Sequence, residues 1–330
     1  MSRLIQTSRL VICLAATLWT IATTPAAAAT NPVLLVSGLQ GASGSAIGPG
    51  GALYVTEGAL GRILRVDPQT GNATTFASGL PPAVIPGLGG AIDVAFIGST
   101  AYALVTLVGP DVGGTSTVGI YRIDGPDSYT VIADIGAFAI ANPPDTQFDV
   151  PTGLQYAIEP FRGGFLVSDG HHNRVLRVSH DGEVSVMMAF ENIVPTGLAV
   201  SGNTIYMAEA GPTPHLPSDG KVVAFNAKSA ASTEVASGAP LLVDVEFGRG
   251  RTLYALSQGL FPGGPPATPA LPNTGALVKV NGDGTVTVIV DELNLPTSVE
   301  FIGNSAYVVS LAGEIWKIDN IGTPPYGVPR

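Results

Sequence analysis

Cysteine is almost missing from this chain of 330 residues: there is one, Cys13. It falls within an apolar run near the start, so residues beyond that run form no disulfide and carry no thiol chemistry. Charge is also scarce, at 12% of residues, and the formal net charge is −10. A thin acidic surface excludes the basic face that nucleic acid or an anionic membrane requires. After the first 29 residues there is no long hydrophobic run, hence no expected membrane span. Several catalytic signatures are absent as well: no G-x-S-x-G elbow, no H-E-x-x-H, no phosphate-cradling Gly-rich loop with Lys, no Cys cluster.

What is present begins with an export pattern. Arg3 and Arg9 precede an apolar run from Leu10 to Ile21, and Ala26, Ala27, Ala28 and Ala29 follow it. Positive start, short apolar stretch and small residues together predict a secretory signal over 1–29, removed after Ala29. Its removal takes Cys13 and both arginines, leaving a net charge of −12 on residues 30–330. That remainder is expected outside the cytoplasm, secreted or periplasmic, and is long enough for a large core in one domain.

The 42 glycines and 27 prolines are spread between short β-branched runs, which predicts many turns between strands. The pattern repeats itself. A strand marked by an aromatic residue recurs six times, at Tyr54, Tyr102, Phe165, Tyr206, Tyr254 and Tyr307. After each comes an alternating strand, at residues 62–66, 119–123, 174–178, 221–225, 276–280 and 314–318. A Thr/Val-rich outer strand follows at 73–77, 129–133, 184–188, 232–236 and 286–290, and the sixth copy lacks it. Residues 32–36 make a spare strand able to complete that copy. Six four-stranded units of roughly 40–60 residues, closed in this way, predict an all-β, six-bladed β-propeller with the N-terminal strand closing the last blade.

The repeats resemble NHL-type propeller blades, most clearly in Asp169-Gly170-His171-His172-Asn173-Arg174-Val175. Over residues 32–320 the chain resembles the ScyD/ScyE family, named for proteins of a cyanobacterial pigment cluster. That resemblance rests on Ser37-Gly38-Leu39, on the stretch from Gly50 to Glu57, and on the starts Val150-Pro151-Thr152-Gly153-Leu154 and Val194-Pro195-Thr196-Gly197-Leu198. Leu295-Pro296-Thr297-Ser298-Val299 is a looser third start. It implies secretion and a propeller, and supplies no catalytic motif to carry over.

Propeller topology gathers one end of every blade around the axis, and candidate site residues follow from it. The aromatic-marked strands end in Glu57, Asp169 and Glu209, and the innermost strands carry Asp93 and Asp244. His171, His172 and Asn173 share the loop after Asp169. Carboxylates with an Asn suit Ca²⁺, so Glu57, Asp169 and Glu209 are candidate metal ligands. The structural alternative is that these acids pair within their blades, with Arg62 and Arg174 as nearby partners, and that adjacent His171 and His172 point to opposite sides. Long insertions at 106–118, 211–220 and 258–275 are expected on the same face, with Leu260 and Phe261 forming an apolar wall there. Two functions fit: a scaffold binding a small molecule or protein on this face, or a lactonase-like hydrolase with a central divalent ion.

Overall fold

The structure, a computed structural model, describes residues 31–229, 231–265, 267–322 and 326–327. The expected signal, 1–29, lies outside the described residues. Six antiparallel four-stranded sheets form the blades. Blade 1 holds β2 (Ala42–Ile47), β3 (Leu53–Glu57), β4 (Arg62–Val66) and β5 (Ala73–Ala77). Blade 2 holds β6 (Gly90–Ile97), β7 (Thr100–Thr106), β8 (Gly119–Gly125) and β9 (Ser128–Asp134). Blade 3 holds β10 (Gln155–Phe161), β11 (Gly164–Asp169), β12 (Arg174–Val178) and β13 (Val184–Ala189). Blade 4 holds β14 (Pro195–Ser201), β15 (Thr204–Glu209), β16 (Lys221–Phe225) and β17 (Thr233–Ser237). Blade 5 holds β18 (Leu242–Phe247), β19 (Leu253–Ser257), β20 (Gly275–Val280) and β21 (Val286–Leu293). Blade 6 holds β22 (Pro296–Ile302), β23 (Ser305–Ser310) and β24 (Glu314–Asp319).

The fourth strand of blade 6 is β1 (Val33–Val36), which pairs antiparallel with β24, Val33 opposite Lys317. The two ends of the chain therefore close the ring. The first strands of successive blades pack side by side from blade 1 around to blade 6 and back to blade 1. They line the axis.

Six wedges, each between two neighbouring blades, make up most of the core, and a small cluster of Ala210, Leu241 and Ala270 adds to it. This geometry explains the recurring aromatic residue. Tyr54 meets Phe96 of the next blade at 4.6 Å between ring centres, Tyr206 meets Phe247 at 5.4 Å, and Tyr254 meets Phe301 at 4.9 Å. Tyr102 meets Phe165 at 4.7 Å. Each such contact ties two blades through a large apolar surface with favourable ring geometry. The second strands, buried on both faces, read as nearly unbroken apolar runs for the same reason.

Polar side chains add links between blades. Thr196 Oγ1 lies 2.9 Å from the Leu242 carbonyl, and Thr297 Oγ1 lies 2.8 Å from the Ser43 carbonyl. Thr106 and Gln155 bond at 2.7 Å across blades 2 and 3. The Pro-Thr starts seen in the sequence are thus inter-blade clasps in blades 4 and 6. Among the described residues one α-helix is added to the strand pattern: α1 (Ile135–Ala141), capped by the Asp134 carboxylate accepting from the Ala137 N–H. Among the described residues no helix is long and apolar enough to cross a membrane.

Candidate functional site

Two cavities lie on the axis and meet at its waist. The larger, about 610 Å³, opens on the face carrying the loops between second and third strands. The smaller, about 290 Å³, lies toward the other face. Asp93 and Asp244 line both cavities, and so stand where they meet.

Strand register explains this arrangement. Asp93 faces Leu104 and Asp244 faces Leu256, an equivalent level on blades 2 and 5. At the same level blade 6 has Ser298, while blades 1 and 4 have Gly44 and Gly197 beside the two acids. A Cβ on Gly44 would sit 2.6 Å from Asp93 Cα, and one on Gly197 would sit 2.5 Å from Asp244 Oδ1. Glycine at these positions therefore admits the neighbouring carboxylate. Each Asp accepts from its own strand and from the next blade. Asp93 takes the N–H groups of Val94 (2.8 Å) and Ile158 (2.9 Å), and Asp244 those of Val245 (2.9 Å) and Val299 (2.8 Å).

Two residues further along, Glu159, Glu246 and Glu300 occupy equivalent positions on blades 3, 5 and 6, opposite Leu166, Tyr254 and Tyr307. They line the smaller cavity. Five carboxylates thus share the narrow axis, with no Lys or Arg along its walls among the described residues. Desolvation raises all of them: Asp244 to about 7, Glu246 to about 8, and Asp93, Glu159 and Glu300 well above the ordinary carboxylate range, with mutual repulsion adding to the rise for Asp93, Glu159, Glu246 and Glu300. The three glutamates were not singled out from the sequence. The signal was available, because a side chain two residues beyond Asp244 must point the same way in a strand, and Glu159 and Glu300 repeat that position.

Glu57, Asp169 and Glu209 sit elsewhere. None lines the large cavity, and among the described residues no three His, Cys, Asp or Glu side chains assemble a metal site. The reason is local pairing. Glu57 is fully buried and engages Arg62 and the Gln40 N–H at 2.8 Å. Asp169, also fully buried, receives Arg174 Nε at 2.8 Å and Gln155 Nε2 at 3.0 Å. Glu209 is buried near Lys221, and desolvation raises it to about 7. The expectation that strand-end acids converge across blades is therefore corrected: they face their own third strands, where a basic residue stands directly opposite. These three carboxylates do not fit a shared Ca²⁺ ion.

The Asp169 loop works mainly as a brace. After a 3-10 turn over Gly170–His172, Asn173 adopts φ +51, the left-handed conformation that Gly61 takes at the same point of blade 1. Its Oδ1 accepts from the N–H groups of Ile193 (3.0 Å) and Val194 (2.9 Å), joining blade 3 to blade 4. His172 turns inward to the Val150 carbonyl (3.0 Å) and Arg174 (3.0 Å). His171 turns the other way and lines the cavity, its Nε2 at 3.1 Å from the Tyr156 hydroxyl. Desolvation lowers its pKa, which favours the neutral imidazole.

Two of the three insertions reach the large cavity. Thr213 and His215 come from the second, and Gln258, Ala267, Thr268 and Pro269 from the third. The first instead docks Asp111 on Thr152, with Oδ2 2.8 Å from the hydroxyl. Phe261 does not line the cavity: it packs edge-on against His215 at 5.0 Å, and Leu260 is exposed. The expected apolar wall is supplied by Leu88, Ile92, Phe148, Val194 and Leu241.

No family model matches the chain, and no curated protein matches it. Solved structures do. A gluconolactonase from Xanthomonas campestris aligns at 13% identity and TM-score 0.61, over 89% of this chain and 90% of that one. Virginiamycin B lyase from Staphylococcus aureus aligns at 12% identity and TM-score 0.53, over 88% and 98%. A chain of a nidogen/laminin complex aligns at 14% identity and TM-score 0.54, over 78% and 84%. At these identities the likeness is one of fold alone.

Proposed function

We propose that this protein is an exported propeller that holds a small molecule in the cavity on its loop-rich face. The observation carrying this reading is the cavity itself. Its volume of about 610 Å³ falls within the range of small-molecule sites. Its wall combines apolar residues with a few inward polar groups, among them His171, His215, Gln258 and Tyr156. A concave pocket of this kind suits a small molecule better than a flat protein partner. Residues 1–29 support export, and the ScyD/ScyE resemblance agrees with both export and a propeller.

The lactonase-like alternative asks for a divalent ion, and Glu57, Asp169 and Glu209 do not assemble a place for one. That alternative loses its three proposed ligands, whereas the cavity supports small-molecule binding directly. Such binding is tested by screening small metabolites for a rise in the unfolding temperature, which reports ligand bound by the native state. Asn192 is exposed and lines the cavity. Asn192→Trp is expected to abolish the rise while leaving the unliganded protein folded. If no compound shifts the unfolding temperature, or if the shift survives in Asn192→Trp, this reading fails.

A further inference from the structure

Among the described residues the cavity wall carries acidic groups and no Lys or Arg. Asp93 and Asp244 form its floor, and exposed Asp149 stands at its edge. His215 is nine-tenths buried, and its Nδ1 lies 2.8 Å from the Gly211 carbonyl and 3.1 Å from that of Ala210. These carbonyls place the hydrogen on Nδ1, so Nε2 of the neutral ring is an acceptor. It has no partner among the described residues, and His215 lines the cavity. Phe148 and Tyr156 add aromatic surface.

We propose that the ligand is a small organic cation, a protonated primary amine on an apolar body. This rests on the reading of the cavity as the ligand site. An ammonium group brings three N–H donors to a wall that offers acceptors at His215, Asp149 and the floor acids, and its charge meets Asp149 and, once ionised, Asp93 and Asp244 rather than competing bases. The aromatic rings favour a cation over their faces. A carboxylate ligand would find no Lys or Arg among the described lining residues and would meet like charge at Asp149 and at the ionised floor acids. The apolar part of the amine packs on Leu88, Ile92, Val194 and Leu241.

Cation binding is also coupled to protons. The ionisable groups facing the axis are Asp93 on β6, Glu159 on β10, Asp244 and Glu246 on β18, and Glu300 on β22, while β2 and β14 present Gly44, Ala46, Gly197 and Ala199. Asp149, His171, His215 and Tyr156 face the upper cavity. Protonated carboxylic acids attract a cation less than carboxylates do, so affinity rises with pH as the axis ionises.

Calorimetric titration at low salt with 2-phenylethylamine, 2-phenylethanol and 3-phenylpropionate tests this. The amine is expected to bind best, with affinity rising between about pH 6 and about pH 8.5, where it stays protonated. Asp149→Asn is expected to weaken it roughly threefold, the scale of an exposed charge. His215→Phe, which keeps a ring against Phe261, is expected to weaken it by about tenfold or more. If alcohol or carboxylate binds as well as the amine, and Asn192→Trp blocks that binding, the charge inference falls and the cavity reading stands. If none of the three binds while the metabolite screen yields a cavity ligand that is not a cation, the charge inference falls alone. If none binds and the screen is empty, both fall.

Discussion

At the scale of single residues, what decides each role is which neighbour a side chain faces. Asp169 and Glu209 end equivalent strands, yet Asp169 is held by Arg174 and Gln155, whereas Glu209 is near a Lys that turns to Glu234 at 2.9 Å. The Arg174–Asp169 pair is buried on both sides, 3% and 0% exposed. Arg174→Met is expected to cost about 3–5 kcal/mol in urea unfolding, because it leaves a buried carboxylate without its cation. Arg62→Met should cost less, since Arg62 is one-third exposed and water can reach the pair. Glycine is equally specific. Gly44→Ala places a methyl group against Asp93 and its backbone, and a loss of about 1–3 kcal/mol is expected in the same measurement. The structural option for Glu57 and Asp169 was legible, since Arg62 and Arg174 lie five residues on. The cavity role of His215 was not: a lone His in a Pro-rich insertion carries no period, and only the folded loop sets its Nδ1 against two carbonyls.

At the scale of elements, the strands were legible almost to the residue. Strands β3, β4, β5, β12, β16 and β19 have the boundaries expected from the repeat. Period-two alternation and turn residues suffice when every blade repeats the same solution. Helix α1 was missed, because Ile135–Ala141 is short and mostly apolar and has no 3.6-residue stripe. Its existence depends on one cap and on packing beside β8, a contact no local pattern announces. Strand β1 was foreseen by subtraction, as the one apolar run left when the sixth blade lacked an outer strand. Its removal exposes the unpaired edge of β24. A variant lacking residues 33–36 is expected to unfold at lower temperature and to self-associate, as read by calorimetry and light scattering. An unchanged melting temperature and a monomeric variant would show that β1 is dispensable.

At the scale of the whole molecule, the axial acids set the response to pH. In the folded protein Asp244 titrates at about 7 and Glu246 at about 8, both raised by desolvation, and ordinary unfolded carboxylates titrate near 4. Over the interval between, the native state binds more protons than the unfolded chain. Stability from these groups is fully present below the unfolded values and is lost as pH rises through the folded ones. The urea midpoint is expected to fall between about pH 5 and about pH 8, and Glu246→Gln should flatten that fall. A midpoint that rises over this interval would contradict the shared axis. Asp93 and Asp244 were found in the sequence as axial candidates. The field they join with Glu159, Glu246 and Glu300 became visible once the six inner strands were laid side by side.

The closure of blade 6 also puts the protein's assembly on a clock. Val33 is among the earliest residues of the described chain to leave the ribosome, and its partner Lys317 is among the last. Blades 1 to 5 can each form from a continuous stretch as it emerges, since their four strands follow one another in sequence. The sixth must wait for both ends. Until residue 319 has been made, β1 has no strand to join and the ring stays an open arc. A transcript truncated anywhere before β24 therefore yields not a smaller propeller but an unclosed one.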